Sequence, residues 1–199
     1  MATGGEALRF VGVSKTFPGV RALRDVSFRV AAGSVHAWCG ENGAGKSTLG
    51  KILAGLHPPD EGHLEVFGER VRFDSPRDAL AKGIGMVHQE LSFCENLSVA
   101  ENLCLGALPV RGLLVDREAT RRRAAEMLDA VGASIDSRAT LGDLPLGQRQ
   151  MIQIAAAVGA RARVIVFDEP TSSLSQREAE RLYLLIGRLR AARVTSIYI

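Results

Sequence analysis

The run Gly40-Glu41-Asn42-Gly43-Ala44-Gly45-Lys46-Ser47-Thr48 fits the pattern G-x-x-x-x-G-K-[ST] and carries a further glycine within it. These residue types describe a cradle for phosphate. Glycines let the backbone turn sharply and bring its N–H groups onto an anion, the lysine supplies a point charge for β/γ-phosphates, and the serine offers a hydroxyl to Mg²⁺. A chance glycine-rich turn would lack the flanks such a loop needs. Here Ser34–Cys39 is a short, mostly apolar run entering the loop, and Leu49, Ile52, Leu53 and Leu56 recur at helical spacing after it. The helix N-terminus then faces the loop and adds its partial positive charge to the anion site.

A second constellation lies at Val164-Ile165-Val166-Phe167-Asp168-Glu169, an apolar run that delivers two carboxylates. Continuous apolarity is the mark of a strand buried on both faces, and open α/β sheets bind ligands beyond the C-terminal ends of such strands. An exposed turn after a buried strand would give the same residues. Joined to the phosphate loop, they form the two-part signature of a nucleoside triphosphatase. Asp168 is then expected to hold Mg²⁺ opposite Ser47, directly or through water, and Glu169 to orient or deprotonate the attacking water.

Other residues carry less. Phe17 falls at a break before the loop, where an aromatic is either a core anchor or a platform for a base, and the sequence leaves both open. Arg121-Arg122-Arg123 sits in a helical stretch whose buried face is Ala124, Met127, Leu128 and Val131, so it reads as solvated surface. A net charge of +3 does not imply nucleic acid. Cys39, Cys94 and Cys104 show neither C-x-x-C spacing nor an even count, and are expected to be reduced, mostly buried thiols. His36, His57, His63 and His88 lack metal-ligand spacing. With 199 residues and 46% hydrophobic content the chain can bury a core, and no apolar run approaches the ~20 residues needed to cross a bilayer, so a cytosolic location is expected.

The elements that must position these groups can be read in order. Ala7–Val13, Ala22–Val30 and Ser34–Cys39 read as strands broken at Pro18-Gly19 and Ala32-Gly33. After the first helix, Pro58-Pro59-Asp60-Glu61-Gly62 makes a turn before β-prone pieces at Leu64–Phe67 and Val71–Phe73. Ser75-Pro76 opens a helix that Gly83 closes, and 84–88 is a buried strand ending at Gln89. Ser98 and Glu101 make a capping box for a helix stopped by Gly106. A longer helix spans 116–131, and the next has Met151, Ile154, Ala155 and Val158 inward. Ser175 and Glu178 cap a helix to about Ala192, and Val194–Ile199 is a last strand. Strands alternating with helices from residue 34 onward predict an α/β fold with a mostly parallel, doubly wound sheet.

Several stretches resemble the ATP-binding cassette (ABC) ATPases, most closely the sugar-importer type with two fused cassettes. GSVHAWCGENGAGKSTLGKILAG is similar to that family's first phosphate loop, IGMVHQE to its glutamine loop, LPLGQRQ to its signature and VIVFDEPTSSLS to its magnesium strand. SVAENLCLG is similar to a stretch of the sugar group. The resemblance runs from about Leu8 to Ile199. It implies a P-loop NTPase core, an N-terminal antiparallel β-subdomain (with the core, about 7–89 and 161–199) and a helical signature subdomain (about 90–160). It also implies Mg²⁺ and ATP as cofactors, Phe17 as the adenine-stacking aromatic, and Gln89 as a catalytic and metal-side sensor linked to a transmembrane permease. Gly147 and Gln148 would act on nucleotide held by a different cassette, fused or in trans, and a solute-binding protein would be an indirect partner. The expected function is ATP hydrolysis coupled to import of a small solute such as a sugar, at the cytoplasmic membrane.

The chain departs from the family at Pro145, where a serine is usual, and at Ser175, where many cassettes have Asp. It also stops at Ile199, a few residues before a histidine that in relatives contacts the γ-phosphate. The resemblance therefore implies a truncated cassette that binds ATP and turns it over poorly. A binding protein without hydrolysis is the alternative, and a soluble ABC protein of DNA repair or translation fits less well, because Gln89 to Leu144 leaves room only for a compact helical insertion.

Overall fold

A long hairpin begins the chain: β1 (Glu6–Phe17) pairs antiparallel with β2 (Val20–Ala31) across Pro18-Gly19. The computed structural model describes residues 5–87, 93–171 and 174–199. Phe17 is the last residue of β1, paired with Val20, and not part of a break: the reversal needs only Pro18 and Gly19, the latter at φ +79. On the other side of β1 lies β4 (Glu61–Val66), which then pairs with β5 (Glu69–Val71), giving the sheet order β2-β1-β4-β5. The predicted alternation thus overstates the parallel sheet, because β4 and β5, the first two strands after the first helix, join the N-terminal hairpin.

The second sheet has the order β3-β10-β9-β6, from β3 (Val35–Ala37), β6 (Ile84–Val87), β9 (Val164–Phe167) and β10 (Thr195–Tyr198). Strand β10 runs parallel to both β3 and β9. All four residues of β9 are buried, as a strand covered on both faces requires. Leu49, Ile52 and Leu53 of α1 (Lys46–Leu53) join Leu8, Phe10, Val13, Leu64, Val166 and Ile197 in one core. Leu56 does not. The helix stops before Gly55, whose φ of +74 turns the chain out of helical register, and Leu56 is exposed. α2 (Pro76–Ala81) starts at the expected Ser75 cap.

Two compact units are formed: residues up to Met86 with 162–169 and 186–199, and residues 87–161 with 170–185. The second contains α3 (Val99–Cys104), the hairpin β7 (Val110–Arg111) and β8 (Leu114–Val115), α4 (Arg117–Ala130) and α5 (Leu146–Gly159). α6 (Gln176–Ala191) runs through residues of both units. Both arms of the Ser98–Glu101 capping box are present. Nothing in the sequence marks the β7–β8 hairpin, since its two-residue strands are too short for an alternating pattern. On α5, Ile152 and Ala157 are buried along with the predicted face, while Val158 is only partly covered. Cys104 is buried but Cys39 is exposed, against the expectation of mostly buried thiols.

Candidate functional site

Gly45 is the cap residue of α1 and holds φ +88. A Cβ there would lie 2.5 Å from the Ala22 carbonyl oxygen and 2.7 Å from Leu23 Cδ2, so only glycine lets the loop rest on β2. The hairpin that ends β1 with Phe17 therefore also backs the loop. Gly43 has a similar conformation, φ +83, in open space. Gly40, Glu41, Asn42, Gly43 and Ala44 are exposed, and Lys46, Ser47 and Thr48 in the first turn of α1 are half-buried. The Lys46 ammonium donates to the carbonyls of Gly40 (2.8 Å) and Glu41 (2.9 Å), which lays its charge across the loop. Gly50 brings the helix down onto the sheet, because a Cβ there would already be 3.3 Å from Ile199 Cδ1 and 3.4 Å from Val166 Cγ1.

The same descent brings α1 to the end of β9. Ser47 Oγ donates to Asp168 Oδ1 at 3.0 Å, and Asp168 is only 3% exposed. Glu169 behaves differently from its neighbour. Its backbone sits at φ +46, a left-handed conformation rarely adopted by a residue with a Cβ, and its N–H donates to the Ile199 carbonyl at 3.3 Å. That turn leaves Asp168 inside and puts Glu169 at the surface. A hydroxyl and a buried carboxylate side by side form a set of hard oxygen donors, which suits Mg²⁺ in chemistry. Gln89 lies outside the described residues.

Phe17 is half-buried, with the His57 ring edge-on at 5.3 Å and the Lys15 ammonium 5.7 Å from its centroid. In the second unit, Gly147 and Gln148 lie in the first turn of α5, which Leu146 opens behind Pro145; the proline occupies the cap position and makes no side-chain cap bond. Arg149 fixes the approach to this helix by donating to the carbonyls of Leu144 (2.8 Å) and Gly142 (2.5 Å) and to Glu95 Oε1 (2.7 Å). Sequence reasoning missed a further relationship: a Cβ on Gly147 would lie 2.5 Å from both carboxylate oxygens of Glu178. Glu178 is legible in sequence only as a cap partner. It does accept hydrogen bonds from the Ser175 hydroxyl (2.6 Å) and N–H (2.9 Å), which hold its carboxyl below the ordinary glutamate value.

Comparison with known proteins agrees with this geometry. The ABC transporter family profile matches residues 23–172. The chain is 53% identical over 189 residues to an arabinose import ATP-binding protein, AraG, of Pseudomonas syringae pv. tomato, covering 95% of this chain and 37% of that protein. It is 49% identical to a putative ribose/galactose/methyl galactoside import ATP-binding protein of Agrobacterium fabrum, covering 100% of this chain and 40% of that one. The chain thus spans well under half the length of these relatives. Among solved structures, a nucleotide-free ATP-binding cassette from an ABC transporter superposes with a TM-score of 0.85 at 26% identity, covering 98% of this chain and 81% of that one. Another such cassette, in its ADP conformation, gives 0.82 at 27% identity, covering 98% and 80%. With its phosphate loop, its strand-end acids and three quarters of its length matched, the chain belongs to the ABC transporter family.

Proposed function

We propose that this chain is the ATP-binding and ATP-hydrolysing part of an importer for a small sugar. The observation that carries the reading is the hydrogen bond from Ser47 in the phosphate loop to Asp168 at the end of β9, which joins the two halves of a triphosphatase site. Residues 40–48 cradle the phosphates, with Lys46 as the point charge. Ser47 and Asp168 would hold Mg²⁺, directly or through water, and the ion would supply neutralisation of charge on the phosphate oxygens. Glu169, exposed beside the buried Asp168, orients the attacking water and accepts its proton. Phe17 stacks on adenine. Gln89 acts as the sensor towards the permease, and Gly147 and Gln148 serve nucleotide on a second cassette, fused or in trans.

In this reading, about 7–89 and 161–199 are the core with its β-subdomain, and about 90–160 the helical subdomain. The sugar is suggested by the arabinose and ribose/galactose importers among the relatives. Among the described residues no helix is long and apolar enough to cross a membrane, so attachment to the cytoplasmic face would be through the permease, with a solute-binding protein as indirect partner.

A second reading, nucleotide binding with little hydrolysis, is favoured by Pro145. A proline at the start of the signature helix has neither the hydroxyl nor the N–H that a serine would present to a γ-phosphate. Calorimetric ATP binding and phosphate release, measured on the parent and on Glu169→Gln, test the proposal. The glutamine variant is expected to bind like the parent and release phosphate about 10²-fold more slowly. Binding without any release by the parent would favour the second reading, and absence of binding would refute both.

A further inference from the structure

We propose that Asp60 is a positioning residue that sets the Phe17 ring for a nucleobase, an inference that rests on the reading of Phe17 as the base platform. The end of β1 is irregular. Its pairing with β2 shifts register between Val13 and Lys15 and again between Lys15 and Thr16, and its pairing with β4 shifts between Val11 and Ser14. A strand interrupted this way does not fix the direction of its last side chain through the ladder alone.

Asp60 supplies what the ladder lacks. Its N–H donates to the Ser14 carbonyl at 2.9 Å, its Oδ1 accepts from Lys15 Nζ at 2.7 Å, and its Oδ2 accepts from the Thr16 N–H at 2.7 Å. One residue therefore holds each of the three positions that precede Phe17. The Lys15 ammonium so anchored is also the cation standing over the Phe17 ring. His57, whose ring meets the Phe17 edge at an interplanar angle of 74°, lies just before Asp60 on the same segment. Pro58 and Pro59 join the two and fix φ at both intervening positions, so His57 and Asp60 move as one stiff bracket. The bracket grips Phe17 at its edge and through the cation over its face. These Asp60 hydrogen bonds go to β1, so their loss should disturb the base and spare the phosphates.

That separation makes the inference testable with two ligands. Mg·ATP and Mg·tripolyphosphate are titrated calorimetrically into the 199-residue chain and its Asp60→Ala, Asp60→Asn and Phe17→Ala variants. Asp60→Ala is expected to weaken ATP about 3- to 10-fold, the scale of one lost aromatic contact, and to leave tripolyphosphate unchanged. Asp60→Asn keeps an acceptor for Thr16 but loses the carboxylate charge that holds Lys15, and is expected to fall between. Equal weakening of both ligands, or unchanged ATP affinity, would overturn the proposal. Should Asp60→Ala give no cooperative melting transition, the same two outcomes are read from Asp60→Asn. Phe17→Ala separates the two ideas. If it weakens ATP alone while the Asp60 variants do not, the role of Asp60 fails and the base platform stands. If Phe17→Ala changes neither ligand, the platform itself is wrong.

Discussion

Ser47 and Asp168 stand 121 positions apart in the chain, yet their side-chain oxygens are 3.0 Å apart. The contact exists because α1 starts at the phosphate loop and is pressed onto β9 at Gly50, while β9 releases its first polar side chain at Asp168. Asp168→Asn keeps the shape of the pair and removes its charge. In the parent, chelating Mg²⁺ with EDTA should weaken ATP binding about 10- to 100-fold, and the variant should respond little to EDTA. An undiminished Mg²⁺ effect in the variant would remove Asp168 from the metal site.

The loop glycines should differ in a way that sequence does not show. Gly43→Ala meets only the cost of a left-handed backbone, about 1–2 kcal/mol, because its Cβ would enter open space. Gly45→Ala adds a collision with the Ala22 carbonyl, which cannot rotate away, for a total on the order of 3 kcal/mol. Chemical denaturation of the two variants checks the order. A smaller loss at Gly45 would mean that β2 yields.

Much of this site was legible in the chain. The phosphate loop, the apolar strand ending in two acids and the Ser75, Ser98 and Ser175 caps depend on neighbours within a few residues, and their residue types have few other uses. What was not legible depends on partners distant in sequence. The Pro58–Gly62 stretch reads as a turn, and nothing local says that Asp60 reaches back to Lys15 and Thr16. Strands at Leu64 and Val71 look like those of the parallel sheet until Leu64 is seen to pair with β1 and Val71 with Leu64. Leu56 fits the helical period and fails only because Gly55 ends the helix first.

Gly147 supplies a test of the packing at the start of α5. Gly147→Ala drives a methyl against the Glu178 carboxylate, which must swing away from Ser175, so it should destabilise the chain by about 1 kcal/mol, the scale of the lost cap. Glu178→Ala alone loses the cap to Ser175, about 1 kcal/mol, but makes room. The double variant should be more stable than the sum of the single losses predicts. Simple additivity in denaturant unfolding would show that Glu178 is not what the glycine accommodates.

The capping box of α3 carries a pH signature. The Ser98 hydroxyl, then the Ser98 N–H, stabilise the ionised Glu101 and hold its carboxyl below the ordinary value of 4.5. A depressed folded-state value means a contribution present above pH 4.5 and lost as pH falls through the folded value. The parent should therefore melt above Glu101→Gln at pH 7, and the gap should close as the pH is lowered below about 4.5. A gap constant down to pH 3 would contradict this.

The central claim is that residues 40–48 bind the triphosphate, and Lys46 tests it most directly. Its ammonium bridges the Gly40 and Glu41 carbonyls at the loop surface and is not part of the core, so Lys46→Ala should fold like the parent. Titration of both proteins with a fluorescent ATP analogue in the presence of Mg²⁺ should show affinity reduced at least about 10-fold in the variant, the scale of a lost charge-assisted bond. Equal affinities would contradict the assignment of this loop as the triphosphate site.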